Sequence, residues 1–220
     1  MTISIKGNEV FTLLGHNGAG KTTAIYMLTG MLNPSGGNAV LYDNTVSSEM
    51  DEIRKNLGLC QQFDVLYDEL TAEEHLLFAC KIKDVGADTE SEIRDTLELV
   101  MLTRHKEKKP TEMSGGMKRK LSLALALIGK SRTIILDEPT SGLDVESRRQ
   151  VWELILKIRE TRSIIMSTQH IEEADVLSNR ICVMSHGKVI ALDTPNNIKR
   201  RFGVGYNVFL EPINQNNMSQ

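Results

Sequence analysis

The sequence predicts an α/β fold: a mainly parallel sheet with a small antiparallel β part and a helical insert around residues 71–128. Three observations predict it. Two apolar runs rich in β-branched residues, Thr133-Ile134-Ile135-Leu136 and Ser163-Ile164-Ile165-Met166-Ser167, flank a helical stretch, as strands covered on both faces do. A third apolar run, Val10-Phe11-Thr12-Leu13-Leu14, leads through a glycine-rich turn into Ala24-Ile25-Tyr26-Met27-Leu28, which suits a helix. Between these parts, from Thr71 to Ile128, the apolar spacing is helical.

Each element has its own signal. Thr2–Ile5 and Val10–Leu14 read as strands joined by Lys6-Gly7-Asn8-Glu9, with Gly7-Asn8 as the hairpin signal. The helix after the glycine-rich turn ends near Thr29-Gly30, and Asn33-Pro34-Ser35-Gly36-Gly37 is a turn. Ala39–Tyr42 reads as a strand, Glu49–Asn56 as a short helix and Leu57–Cys60 as a strand. Gln61-Gln62-Phe63-Asp64 opens a polar loop. Thr71 and Glu74 form a capping box ahead of Leu76-Leu77-Phe78. Ile93, Leu97 and Val100-Met101 place a second helix over about Asp88–Leu102. The charge run Arg104–Pro110 reads as a solvated loop. Met113-Ser114-Gly115-Gly116 precedes a third helix, Met117–Ile128, and another covers Val151–Arg162. Arg180–Ser185 and Lys188–Leu192 flank His186-Gly187 as a hairpin. Pro195 starts a last helix near Asn196–Arg201, and the polar tail from Asn214 is expected to fray.

The composition narrows the function. The 220 residues are 40% hydrophobic and 25% charged, which suits one large α/β domain with a full core. A net charge of −3 gives no basic surface for nucleic acid. Cys60, Cys80 and Cys182 form no C-x-x-C pair and read as reduced, buried thiols of a cytosolic compartment. No signal peptide opens the chain. Its longest apolar run, Leu121–Ile128, is far below the ~20 residues that span a bilayer, so action at a membrane needs a span supplied from elsewhere.

Two stretches carry chemistry by their residue types. Gly15-His16-Asn17-Gly18-Ala19-Gly20-Lys21-Thr22-Thr23 fits G-x-x-x-x-G-K-[ST], a phosphate-binding loop, in the strand–turn–helix context the motif requires. Glycines let backbone N–H groups close on an anion at a helix N-terminus. Lys21 can reach β- and γ-phosphates, and the Thr22 hydroxyl can serve Mg²⁺. The alternative is a glycine-rich turn that binds nothing. Asp137-Glu138, ending an apolar strand, falls at the sheet edge where open α/β folds bind ligands. Asp137 suits Mg²⁺ and Glu138 suits a general base polarising water. A plain acidic strand end before a turn proline is the alternative. Ser114-Gly115-Gly116 is a second anion site by the dipole argument, or else an ordinary N-cap with two glycines.

Taken together, these motifs resemble the nucleotide-binding domain of an ATP-binding cassette (ABC) protein. Gly15–Thr23 is similar to its Walker A motif, Ile134–Glu138 to Walker B and Met113–Met117 to the signature, usually L-S-G-G-Q. Gln62 matches the Q-loop and Ser141-Gly142-Leu143-Asp144 the D-loop. Leu66–His75, Ser114–Lys120 and Glu173–Leu177 most resemble the A subfamily of lipid transporters. The resemblance implies a P-loop NTPase (RecA-like) core over about 1–70 and 129–202, a helical subdomain over 71–128 and a tail over 203–220. It implies two domains closing head-to-tail on two ATP molecules. Each ATP would lie between one Walker A and the other domain's Ser114-Gly115-Gly116, and closure would drive transmembrane domains at the cytoplasmic face of a membrane. Gln62 would sense the γ-phosphate and Mg²⁺, Asp144 would link the two sites, and the switch position would act on the γ-phosphate.

Three departures matter. The family's adenine-stacking aromatic lies upstream of the loop, yet no aromatic precedes Phe11, as in a domain truncated at its N-terminus. Gln61 replaces a proline usual in the A subfamily, and Gln169, not histidine, follows Ser167-Thr168, with His170 next. A hydrolysis-impaired ATP-binding fragment or regulatory half, and a soluble ABC ATPase outside transport, are therefore the alternatives to a transport ATPase.

Overall fold

Strand β1 (Val10–Leu14) is apolar along almost its whole length and nearly all buried, so it belongs inside a sheet rather than at its rim. The computed structural model, which describes residues 3–203, places it so. A six-stranded sheet runs β4 (Leu57–Cys60), β5 (Thr133–Asp137), β6 (Ser163–Thr168), β1, β7 (Arg180–Ser185) and β8 (Lys188–Asp193). All neighbours are parallel except β7 and β8, which form the expected hairpin at His186-Gly187. A two-stranded antiparallel sheet, β2 (Val40–Leu41) with β3 (Asn44–Thr45), stands apart. It is shorter than expected at β2, and β3 was not expected.

The expected strand over Thr2–Ile5 is a correction. Thr2 lies outside the described residues, and Ile3–Ile5 forms no strand. Both edges of β1 are taken, by β6 and β7, so a hairpin partner has no ladder to join. The turn at Gly7-Asn8 still forms, closed by the Lys6 amide donating to Glu9 Oε1 at 2.6 Å. The polar tail from Asn214 also lies outside the described residues.

Three helices connect β4 to β5: α3 (Ala72–Ile82), α4 (Thr89–Leu99) and α5 (Gly115–Leu127). The capping box of α3 is present: Thr71 Oγ1 accepts from the Glu74 amide, and Glu74 Oε2 from the Thr71 amide. The charge run after α4 is not a free loop. Its Lys106 and Lys108 carbonyls accept from the Glu73 and Ala72 amides, and Lys106 Nζ pairs with Glu73 at 3.1 Å. Helix α6 (Val145–Ile158) starts six residues before the expected Val151, because Asp144 caps it. Helix α7 (Ile171–Leu177) was not expected; its N-cap, His170, makes no side-chain cap. Helices α1 (Lys21–Leu28), α2 (Met50–Lys55) and α8 (Pro195–Phe202) fall where the sequence puts them. One apolar cluster gathers α3–α6 against the sheet, and a second gathers α1, α2 and the β1 and β7 side chains on the other face. The parallel strands thus end together at one edge, where the loops after β1, β4, β5 and β6 meet.

Candidate functional site

The loop after β1 is built for close backbone approach. Gly18 and Gly20 have φ of 80° and 98°, values that L side chains rarely adopt. A Cβ on Gly15 would sit 2.5 Å from the Met184 carbonyl oxygen, so only glycine fits where the loop leaves the sheet beside β7. The loop is also braced from below: the Gly187 amide at the β7–β8 turn donates to the Ala19 carbonyl at 2.9 Å. Gly20 then starts α1, whose free N-terminal amides face the edge.

Lys21 is 5% exposed and fills this loop from within. Its Nζ donates to the Gly15 and His16 carbonyls at 2.8 and 3.3 Å and pairs with Glu138 Oε1 at 3.3 Å. Gln62 Nε2 lies 3.5 Å from Glu138 Oε2, and Thr22 Oγ1 donates to Asp137 Oδ1 at 3.3 Å. Three segments far apart in sequence therefore converge on one point. An open cavity of about 360 Å³ is lined by Asn17–Thr23, Gln62 and Glu138.

Strand register supplies the carboxylates. Asp137 is opposite Ser167 on β6, and Ser167 Oγ donates to Asp137 Oδ1. Glu138 leaves the strand at φ 46°, a left-handed conformation uncommon for a non-glycine residue. Its amide is held by the Ser167 carbonyl and hydroxyl, both at 3.1 Å. The turn beyond is tied down by Glu173, a fully buried carboxylate whose Oε1 accepts from Thr140 Oγ1 and Trp152 Nε1.

The hard oxygen donors Thr22 Oγ1 and Asp137 Oδ1, adjacent to one another, fit Mg²⁺, which takes one or two protein oxygens together with phosphate and water. Among the described residues no cluster of three or more His, Cys, Asp or Glu offers an all-protein cage.

Other sequence candidates lie differently. His16 is exposed and turns its ring toward the β7–β8 turn, 5.5 Å from the His186 ring, and does not line the cavity. Gln169 follows β6 directly and is exposed; its side chain makes no hydrogen bond among the described residues. Its neighbour Thr168 accepts the Gly15 amide at 3.2 Å through its carbonyl, so Gln169 emerges beside the start of the phosphate loop. His170 instead caps α7 through its backbone.

Ser114, Gly115 and Gly116 do not line the cavity either. Ser114 caps α5, its Oγ accepting from the Met117 amide at 3.3 Å, and Ser114 and Gly115 are exposed. Gly116 is buried against α6, where a Cβ would come 2.5 Å from Ser147 Oγ. Ser147 in turn donates through its amide and hydroxyl to Asp144, at 2.9 and 2.7 Å, which holds the Asp144 carboxyl below the usual range. The signature turn and the D-loop cap are therefore packed together.

Sequence reasoning missed Arg119 and Ser167. Arg119 is 2% exposed, on the same face of α5 as the buried Ser122, Leu123 and Ala126. An arginine on the apolar face of a helix was the available signal.

A family model described as "ABC transporter" matches residues 1–141. The chain is 46% identical over 211 residues to ATP-binding cassette sub-family A member 2 of Rattus norvegicus, covering 96% of this chain and 9% of that protein. It is 40% identical over 221 residues to the retinal-specific phospholipid-transporting ATPase ABCA4 of Mus musculus, covering 100% of this chain and 10% of that one. The chain thus spans about a tenth of the length of these relatives. A solved ATP-binding subunit of an ABC transporter superposes with a TM-score of 0.80 at 28% identity, covering 91% of this chain and 85% of the other. A dimeric ATP-binding cassette bound to ADP and Pi superposes at 0.79, covering 88% of each chain, but at 24% identity it speaks for the fold alone. No helix among the described residues is long and apolar enough to cross a membrane. With the family model, the relatives and the fold in agreement, the chain belongs to the ABC transporter family, as an ATP-binding cassette domain related to the sub-family A members.

Proposed function

We propose that this domain binds and hydrolyses Mg-ATP and that the cycle powers transport of lipid through membrane-spanning domains outside these 220 residues. The observation that carries the reading is the convergence of Lys21 and Gln62 on Glu138 at the mouth of the phosphate loop, at 3.3 and 3.5 Å.

The chemistry follows from what each group can do. Lys21 is bonded to loop carbonyls and Glu138, so its ammonium is already aimed at the place a γ-phosphate would take. Phosphate oxygens compete for Lys21 and release Glu138, which then accepts a proton from the attacking water. Gln62 borders the same space and orients that water or the phosphate oxygens through its amide. Mg²⁺, held by Thr22 and Asp137, would neutralise charge on the phosphates. Gln169 offers an amide N–H donor where an imidazole would also carry a proton.

In this reading Ser114-Gly115-Gly116 serves a nucleotide held by a second, homologous domain in a head-to-tail pair. Exposed Phe63, Val65 and Tyr67, just after Gln62, offer the transmembrane domains an apolar docking edge at the cytoplasmic face. The relatives' names, a phospholipid-transporting ATPase among them, support lipid as cargo.

A second reading, an ATP-binding domain that hydrolyses poorly, is favoured by Gln169 alone. Nucleotide affinity and phosphate release measured on the same preparation separate the two. Turnover with saturable Mg-ATP binding supports the ATPase; tight binding without release assigns the second reading.

A further inference from the structure

We infer that Arg119, on the helix that begins with the signature turn, is the positioning residue that sets Gln62 and Glu138 against each other. The inference rests on the ATPase reading above.

Its guanidinium is buried and fully engaged. Nε donates to the Pro139 carbonyl at 2.6 Å. Nη2 reaches the Asp137 and Glu138 carbonyls at 3.2 and 3.3 Å. Nη1 donates to the Gln61 carbonyl at 2.6 Å and lies 3.3 Å from the Gln62 carbonyl. The same nitrogen pairs with Asp64 at 3.1 Å. One planar group thus bonds three consecutive carbonyls at the end of β5 and two at the end of β4.

Two consequences follow. The strained residue of the site, Glu138 at φ 46°, has its carbonyl held by Arg119 and its amide by Ser167. Such a conformation persists only where its surroundings over-determine it. The backbones that carry Gln62 and Glu138 are also bonded by the two Nη atoms of one guanidinium, so the 3.5 Å approach of their side chains is set by one rigid fork. A lysine at this position keeps the charge and can keep Asp64, but its point-like ammonium cannot bond five carbonyls in two directions. Arg119 touches no reacting atom; it acts through the two residues it places.

The test uses the full chain with Arg119→Lys and Arg119→Ala. Expected is a fall in kcat on the order of 10²-fold in both, the scale of a misplacement near 1 Å, with KM for Mg-ATP within about threefold because Lys21 and the phosphate loop are intact. Millimolar guanidinium ion restores turnover to Arg119→Ala and not to Arg119→Lys, whose side chain fills the space. Amide exchange, which needs no turnover, rises in segments 61–64 and 137–141 of Arg119→Lys and stays unchanged in segment 15–23. Unchanged kcat overturns the inference, as does exchange that rises equally along the chain or in neither segment. A wild-type chain that releases no phosphate removes the ATPase reading instead, and the exchange pattern still decides whether Arg119 positions both loops.

Discussion

The phosphate-loop edge and the signature turn are both glycine-bearing helix starts, yet they are finished to different degrees. At the edge, the functional side chains other than Gln169 already have partners within the chain: Lys21 with Glu138, Thr22 with Asp137, Gln62 with Glu138. At the signature turn, Ser114 makes only its own cap bond, and the first-turn amides of Gly115 and Gly116 have no intrahelical acceptor. Ser114 and Gly115 face solvent, whereas Lys21 is buried. The first region is pre-organised from inside; the second is a set of donors without an acceptor. On the proposed reading, the difference is that of one half of a site and the complement of another, carried on one chain. What joins the two halves internally is α5, which starts at the open turn and one turn later places Arg119 under the finished edge.

The largest expected effect lies at the finished edge. Glu138→Gln keeps an amide beside Lys21 and removes the base, so nucleotide affinity stays and phosphate release falls on the order of 10²–10⁴-fold. Parallel measurement of affinity and release checks it, and unchanged release would take Glu138 out of that role and break the contrast.

An intermediate effect sharpens it. Gln169 emerges beside the phosphate loop with no partner among the described residues, so the edge is incomplete there. Gln169→His raises turnover about tenfold, the scale of one modest catalytic hydrogen bond. His170→Ala changes turnover little, because His170 serves α7 through its backbone. Loss of turnover in His170→Ala, with no gain in Gln169→His, moves the switch by one residue.

The smallest effect comes from the other end of the strands and separates stability from the site. Lys83 Nζ donates to the Leu57 carbonyl at 3.0 Å and to Ser131 Oγ, and burial, aided by the Arg162 charge, pushes its ammonium down to about 8. With the folded value below the unfolded one, the unfolded chain binds more protons between these values, so stability rises as pH climbs from about 8 toward 10.5. Partial exposure limits this rise to on the order of 1 kcal/mol. Urea titrations at stepped pH detect it as a difference from Lys83→Met, which lacks the rise and binds ATP as before.

Legibility in the sequence followed the same contrast. The phosphate loop was readable because its motif, strand and helix are contiguous, and Asp137-Glu138 because an apolar strand leads straight into them. The α3 capping box was readable because both its bonds span three residues. Arg119 was not, because all its partners but Asp64 are backbone carbonyls, 18 to 58 positions away, which carry no side-chain signature. The missing first strand was not readable either: nothing local says that β6 and β7, more than 150 residues on, claim both edges of β1. Helix α7 lacked a start signal because its N-cap is a histidine whose side chain makes no cap bond.

The division into a finished half and an open half is tested most directly by mixing two broken chains. Lys21→Ala removes the phosphate-loop ammonium and leaves the signature turn; Ser114→Arg blocks that turn and leaves the phosphate loop. Each variant alone is expected to release no phosphate from Mg-ATP and form no ATP-dependent dimer. An equimolar mixture is expected to recover both, because the Ser114→Arg chain supplies an intact loop and the Lys21→Ala chain an intact turn to one shared site. A mixture as inactive as its components, or a Ser114→Arg chain that dimerises and turns over like the parent, contradicts the account.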